Sequence, residues 1–346
     1  MELNLKKVIN DVYNRMDFSG SVLVKDHSNL LVEESFGYAN RADQLKNNTE
    51  TRFGIASGCK LLTSIAVCRL VDDGQLTFDT KMSQCLDFDL KYIDKEITVH
   101  HLLTHTSGIP DYFDEEVMED FEALWVHLPM YHLRRVRDFL PLFQNEQMKF
   151  HPGERFHYNN AGYILLGLIV EQMSGIEFSD YVKTNVFNKA DMEDSGYFSF
   201  DSLPANTAIG YIDDADGGWK TNIYSLPVKG GPDGGAFVTV HDMMILWDAL
   251  LKNKLLSEKI TETLLSAHAQ INKDDFYGYG IWIKEIGDRP FKYHLMGYDP
   301  GVNFHFAHYP EWAVKVAICS NKSNGAYEMM MAIEEELKTL GEKNGI

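Results

Sequence analysis

The sequence predicts an α/β (α+β) fold, with a strand-rich lobe assembled from both ends of the chain, helices at either terminus, and an all-helical lobe inserted between. Three observations predict it. Short β-rich runs bounded by turn residues occur near the N-terminus and again over the last hundred residues. The stretch between them reads mainly as helices joined by long loops. An amphipathic helix opens the chain and another closes it. The expected division is a single domain over 1–346, with one lobe from 1–58 plus 236–346 and a helical lobe over 59–235.

In chain order, Leu5, Val8, Ile9, Val12 and Met16 mark one face of the first helix. Phe18 to Val24 and Leu30 to Gly37 read as two strands, with residues 25–29 as their turn. A polar loop from Asn40 to Thr51 leads to the run Phe53–Val71. There apolar residues at 61, 62, 65–68, 70 and 71 are too many for one stripe, so this helix is expected to be buried on most sides. Asp72-Asp73-Gly74 closes it. His101 to Gly108 reads as a short helix, and the acidic run Asp114–Glu122 as a solvated helix face. Pro152-Gly153 turns the chain toward Tyr158-Asn159-Asn160 and the apolar helix Ala161–Met173, stopped by Gly175. Gly230–Gly235 is a second major turn. Thr239 and Asp242 form a capping-box pattern ahead of a helix to Leu251. Strands are expected at 277–286, 291–296, 301–308 and 312–320, then a helix over 328–340.

Composition is that of an ordinary globular chain, with 45% hydrophobic and 24% charged residues. The formal net charge of −19 argues against nucleic acid and anionic membrane partners, since both require a basic face. The four cysteines form no CxxC pair and read as free thiols, consistent with a reducing compartment. The opening residues lack the apolar core of a signal peptide, and no run reaches transmembrane length, so the expected location is cytoplasmic.

Chemistry concentrates at Ser57 and Lys60, which stand in the Ser-x-x-Lys spacing at a helix start. A hydroxyl there feels the positive end of the helix dipole, and a lysine in an apolar setting loses part of its preference for the charged form, making it a usable base. Tyr158 and Asn160 offer a phenol and an amide two residues apart. The phenol can relay a proton if a lysine lowers its pKa, and the amide can orient a substrate carbonyl. The competing reading is a packed aromatic beside an N-cap asparagine. A third stretch, Tyr293-His294-Leu295-Met296-Gly297-Tyr298-Asp299-Pro300-Gly301, is a strand whose glycine lets backbone approach a substrate and lend an N–H to an oxyanion, or else an ordinary turn. His101 and His105 have the spacing of a metal pair but lack the glutamate of His-Glu-x-x-His; no metal site and no organic cofactor is expected.

Taken in order, Ser57-Gly58-Cys59-Lys60, Tyr158-Asn159-Asn160, Thr51-Arg52-Phe53, Leu102–Gly108 and Asn160–Gly167 resemble the serine β-lactamase and penicillin-binding-protein family. The likeness is greatest to the branch holding class C β-lactamases, D-alanyl-D-alanine carboxypeptidases, D-aminopeptidases and related esterases. The resemblance implies an antiparallel sheet flanked by the terminal helices. It also implies an acyl-enzyme mechanism in which Ser57 is the nucleophile, Lys60 and Tyr158 share the proton transfers, and Asn160 holds the substrate. The Ser57 and Tyr298 amides would then form the oxyanion hole beside Gly297.

The third motif departs from the pattern. Where the family places Lys or His two residues before glycine, this chain has Leu295; His294 is one residue off and regains the position only through a bulge. Lys229-Gly230-Gly231 matches the string but precedes a turn. Without a cation, and with Asp299 nearby, a substrate carboxylate is disfavoured. Esters, amides or amine-bearing peptides are the expected small-molecule or short-peptide substrates, with weak or absent β-lactamase activity. The alternatives are a sensor that acylates without turnover and a non-catalytic scaffold. Nothing in the sequence sets an oligomeric state.

Overall fold

The computed structural model describes residues 2–27, 29–88 and 90–344. Its centre is an eight-stranded antiparallel sheet. The strands are β1 (Gly20–Asp26), β2 (Asn29–Phe36), β3 (Ala269–Gln270), β4 (Asp275–Tyr277), β5 (Trp282–Glu285), β6 (Pro290–Asp299), β7 (Val302–Tyr309) and β8 (Val314–Ser320), in the order β2-β1-β8-β7-β6-β5-β4-β3. The N-terminal hairpin therefore pairs through β1 with the last strand, which ties the two ends of the chain together. Ser28, within the predicted hairpin turn, lies outside the described residues.

Helices α1 (Glu2–Met16) and α6 (Ala326–Asn344) cover one face of the sheet. Leu5, Ile9 and Val12 meet Met329, Met330 and Ile333 there, over Val22, Val316 and Ile318. The other face carries the larger core, formed with α2 (Lys60–Asp72), α4 (Asn160–Ser174) and α5 (Val240–Leu251). As the dense apolar spacing requires, α2 buries every residue from Lys60 to Cys68. Each fully buried aliphatic side chain contributes about 1.5–3 kcal/mol, so α2 is a rigid mount for whatever its first turn carries. Helix α4 ends at Gly175 in the left-handed conformation, φ 70°.

Several local expectations are corrected. The acidic run 114–122 is not a helix: Asp114 is drawn inward to Lys149 and His157, and the segment loops over a cleft. The run 277–286 is two strands, because Gly280 at φ 73° packs against the Lys60 carbonyl and turns the chain. The helix near His101, α3 (Val99–Leu103), stops before His105, which takes φ 58°. Thr239 accepts from the Asp242 N–H as expected, but the Asp242 carboxylate serves Ser195 and Asp194 instead of closing a capping box. The stretch 60–235 also contains a small hairpin, Tyr211–Asp213 with Trp219–Thr221, which the helical reading lacked. No single helix is long and apolar enough to cross a membrane among the described residues.

Candidate active site

Ser57 is presented by a turn that the backbone does not adopt cheaply. Phe53–Gly54 pairs with Phe237–Val238, and Ala56 then takes φ 44°, a left-handed conformation that costs an L-residue roughly 1–2 kcal/mol. A 3-10 turn, Ala56–Cys59, runs directly into α2 and places the hydroxyl at the head of that helix. Gly58 and Gly297 hold the turn against the sheet. A Cβ on Gly58 would meet the Phe304 ring at 2.5 Å, and one on Gly297 would lie 2.0 Å from the Ile55 carbonyl oxygen.

One turn on, Lys60 is 2% exposed. Its Nζ donates to Ser57 Oγ at 3.0 Å, Asn160 Oδ1 at 2.8 Å and the Asp233 carbonyl at 2.7 Å. Three oxygens around one nitrogen satisfy an ammonium; a neutral amine in the same place would instead turn its lone pair to the Ser57 proton. The nitrogen also lies 4.8 Å from the Tyr158 ring centroid. Tyr158 hydrogen-bonds Ser57 and is packed between Trp282, stacked at 6.1 Å, and His105 at 4.5 Å. The condition under which the phenol would act as a proton relay, a pKa lowered by lysine, is not met: burial first, then the carboxylates of Glu115, Asp233 and Asp111, push it well above the ordinary tyrosine value. The resting phenol therefore keeps its proton.

Asn160 is not the N-cap. Asn159 performs that task, accepting from the Gly162 N–H at 2.7 Å, while the Asp111 carboxylate accepts from the Asn160 and Ala161 amides at 2.8 and 2.9 Å. This leaves the Asn160 side chain free to bridge Lys60 and the loop over the cleft, where Nδ2 donates to the Phe113 carbonyl at 3.2 Å. Burial pushes Asp111 up to about 7 despite those amides.

Strand β6 forms the opposite wall. Its pairing with β7 runs in continuous register from Tyr293 to Asp299, without a bulge. His294 is therefore not returned to the glycine's face. It stands opposite Trp282, near Lys292, His305 and Asp275, and burial depresses its imidazole to about 3. Leu295 holds the position two before Gly297 and packs into the main core. Beyond His294, β5 no longer pairs with β6, so residues 295–299 present an open strand edge among the described residues. Met296, Tyr298 and Asp299 line the cleft with Ser57, Tyr158 and Asn160 around a volume of about 800 Å³. Lys229 turns away and donates to Ser179 at 3.0 Å.

Of the sequence-predicted residues, Ser57, Tyr158 and Asn160 gather around Lys60, Tyr298 and Asp299 face them with Gly297 packed against the Ser57 turn, and His294 stands apart. The metal-pair spacing at 101 and 105 is spent locally. His101 Nδ1 accepts the Thr98 N–H at 3.2 Å and His105 Nδ1 the Asn159 N–H at 3.1 Å. Sequence reasoning missed Asp111, Asp233, Glu115 and Trp282. Asp233 lay within a turn noted only for its glycines, and Glu115 within a run read as a solvated face; no local pattern marks Asp111 or Trp282 as neighbours of Ser57.

A family model described as Beta-lactamase matches residues 10–339. Penicillin-binding protein 4* of Bacillus subtilis (strain 168) is 26% identical, aligned over 93% of this chain and 73% of its own length. The crystal structure of a penicillin binding protein from Bacillus halodurans superposes with a TM-score of 0.91 at 56% identity, covering 94% of this chain and 99% of that one. D-amino acid amidase from Ochrobactrum anthropi SV3 shares the fold, with a TM-score of 0.81 at 19% identity over 98% of this chain and 99% of its own. The chain belongs to the Beta-lactamase family.

Proposed function

We propose that this protein is a serine hydrolase that cleaves an ester, amide or peptide bond of a small molecule or short peptide through an acyl-enzyme. The observation that carries the reading is the contact of Lys60 Nζ with Ser57 Oγ, shared with the Tyr158 phenol, in a cleft open to a substrate. The reactive form of the Lys60–Tyr158 pair is the one short of a proton, and Ser57 Oγ gives its proton to that pair as it attacks the carbonyl carbon. The carbonyl oxygen becomes an oxyanion facing the Ser57 and Tyr298 amides. As the tetrahedral centre collapses, the bond to the leaving group breaks and the same pair returns a proton to the departing oxygen or nitrogen. Water then attacks the acyl-serine by the reverse order of transfers, releasing the acid and restoring the hydroxyl. Asn160, already bonded to Lys60, holds that lysine in line and offers its amide to the substrate.

The test is intact-protein mass spectrometry after a fluorophosphonate probe, on wild type and Ser57→Ala, with release of p-nitrophenol from a short-chain ester measured in parallel. Labelling and turnover that both vanish in Ser57→Ala are expected. A permanent adduct without ester turnover supports a sensor instead, and no adduct on wild type supports a scaffold.

A further inference from the structure

The charge around the cleft is one-sided. Among the described lining residues are Glu115, Glu119, Asp120, Glu122, Asp233 and Asp299, against a single lysine, Lys220, which is paired with Glu122 at 2.9 Å. Lys60 lies beneath this surface, but its donors are committed to Ser57, Asn160 and the Asp233 carbonyl.

Most of the inner acids have protein donors. Tyr112 donates to Asp233, and the first amides of α4 donate to Asp111. Asp299 has none among the described residues. It follows Tyr298 at the end of β6, its carboxyl opens on the cleft, and Asp233 and Glu115 face it as like charges with Lys60 as the one opposing charge. Burial, reinforced by Asp233, pushes it up to about 8. An unpaired carboxyl in this position costs stability, and a substrate cation would remove that cost.

The second observation adjoins the first. Asp299 pairs across the hairpin with Val302, and Val302 belongs to an apolar cluster with Ala56 and Leu226, against which Phe121 and Phe200 pack. These residues line the same cleft as Ser57. A carboxyl that an incoming ammonium would ionise and an apolar pocket meet at adjoining positions of one hairpin, beside Ser57. That is the arrangement needed by a molecule whose ammonium and apolar side chain branch from the carbon next to the scissile carbonyl.

We propose that Asp299 anchors the free α-ammonium of an amino-acyl substrate whose apolar side chain fills the Phe121–Phe200–Leu226–Val302 pocket. This deepens the hydrolase reading and rests on it for turnover: the acyl group passed to Ser57 is an α-amino acid with a free amine, released from an amide, ester or short peptide. A carboxylate-bearing ligand finds no opposite charge at this position.

The test separates binding from chemistry. Calorimetry on Ser57→Ala would compare D- and L-phenylalaninamide with their N-acetyl counterparts. The expected result is at least tenfold tighter binding of a free amine than of its N-acetyl form, for at least one enantiomer. That preference is lost in the Ser57→Ala, Asp299→Asn double variant and partly reduced by Glu115→Gln, with circular dichroism confirming folded protein. N-acetyl forms bound as tightly as the amines, or an amine preference untouched by Asp299→Asn, would overturn the proposal. Fluorophosphonate labelling of wild type reports separately on the hydrolase reading. Labelling without amine preference sinks only the anchor, whereas amine preference without labelling upholds the anchor and sinks the hydrolase.

Discussion

Gly297 and Ile55 touch through backbone alone: a Cβ at 297 would stand 2.0 Å from the Ile55 carbonyl oxygen. That contact sets the spacing between the Ser57 turn and β6. Gly297→Ala must push the two apart. The expected outcome is a drop in ester turnover of about 100-fold or more, since removing one oxyanion donor costs a factor of that order. The accompanying loss of stability is roughly 1–3 kcal/mol, as for an overpacked site. Kinetics and urea melts on one preparation check both, and an unchanged kcat would show that the spacing is not needed.

Tyr158 and Lys60 both reach Ser57, so removing either should cut acylation while leaving the other in place. Tyr158→Phe and Lys60→Met are each expected to lower kcat by about 10²–10⁴, the usual worth of a positioned acid or base. Stopped-flow ester hydrolysis measures this. If both single variants and the double variant fall equally, the pair acts as one unit.

Asp299 gives a stability prediction independent of substrate. Its folded pKa, about 8, lies above the ordinary aspartate value of 3.8. Ionising it in the folded state is therefore unfavourable, and the stability its neutral form preserves is lost as pH rises from about 4 to 8. Asp299→Asn should raise Tm by roughly 2–4 °C at pH 8 and by less at pH 5. A lower Tm at pH 8 would contradict the burial argument.

The histidines behave in the opposite sense. Burial holds His294 and His305 at about 3 and His100 and His308 at about 4, all below the ordinary value of 6.5. Their neutral forms are favoured by folding, so that stability is complete above about pH 6.5 and lost as pH falls toward 3. Urea midpoints should fall between pH 7 and 5, and His305→Gln should flatten the slope.

Benzylpenicillin carries a carboxylate and no ammonium. With Leu295 buried where a cation would stand and Asp299 open on the cleft, its turnover should be at least 100-fold below that of a neutral ester at equal concentration. Spectrophotometric loss of the β-lactam ring measures this, and efficient hydrolysis would count against the charge argument.

Elements with strong periodicity were legible in the chain itself. Helix α2, the apolar α4 with its Gly175 stop and the terminal strands follow from side-chain spacing, because burial on one face or on all faces imposes its own period. Ser57, Lys60, Tyr158 and Asn160 were legible as residue types at characteristic positions. What the sequence could not carry was orientation. His294 and Leu295 differ by one place, and only the unbroken β6–β7 register decides which faces the glycine's side. The acidic loop was misread because its charges look solvated until folding brings Asp114 to Lys149 and Glu115 over the cleft. The sequence left open whether a lysine lowers the Tyr158 pKa; enclosure by Trp282 and His105 and three nearby carboxylates raise it instead. The Ser57–Lys60 pairing was thus set by local sequence, where spacing along one helix suffices, whereas Tyr158 and Asn160 reach it only through the fold. The field around them, and so the proposed choice of substrate, was decided by tertiary structure, because electrostatic interactions depend on distance and burial between residues far apart in the chain.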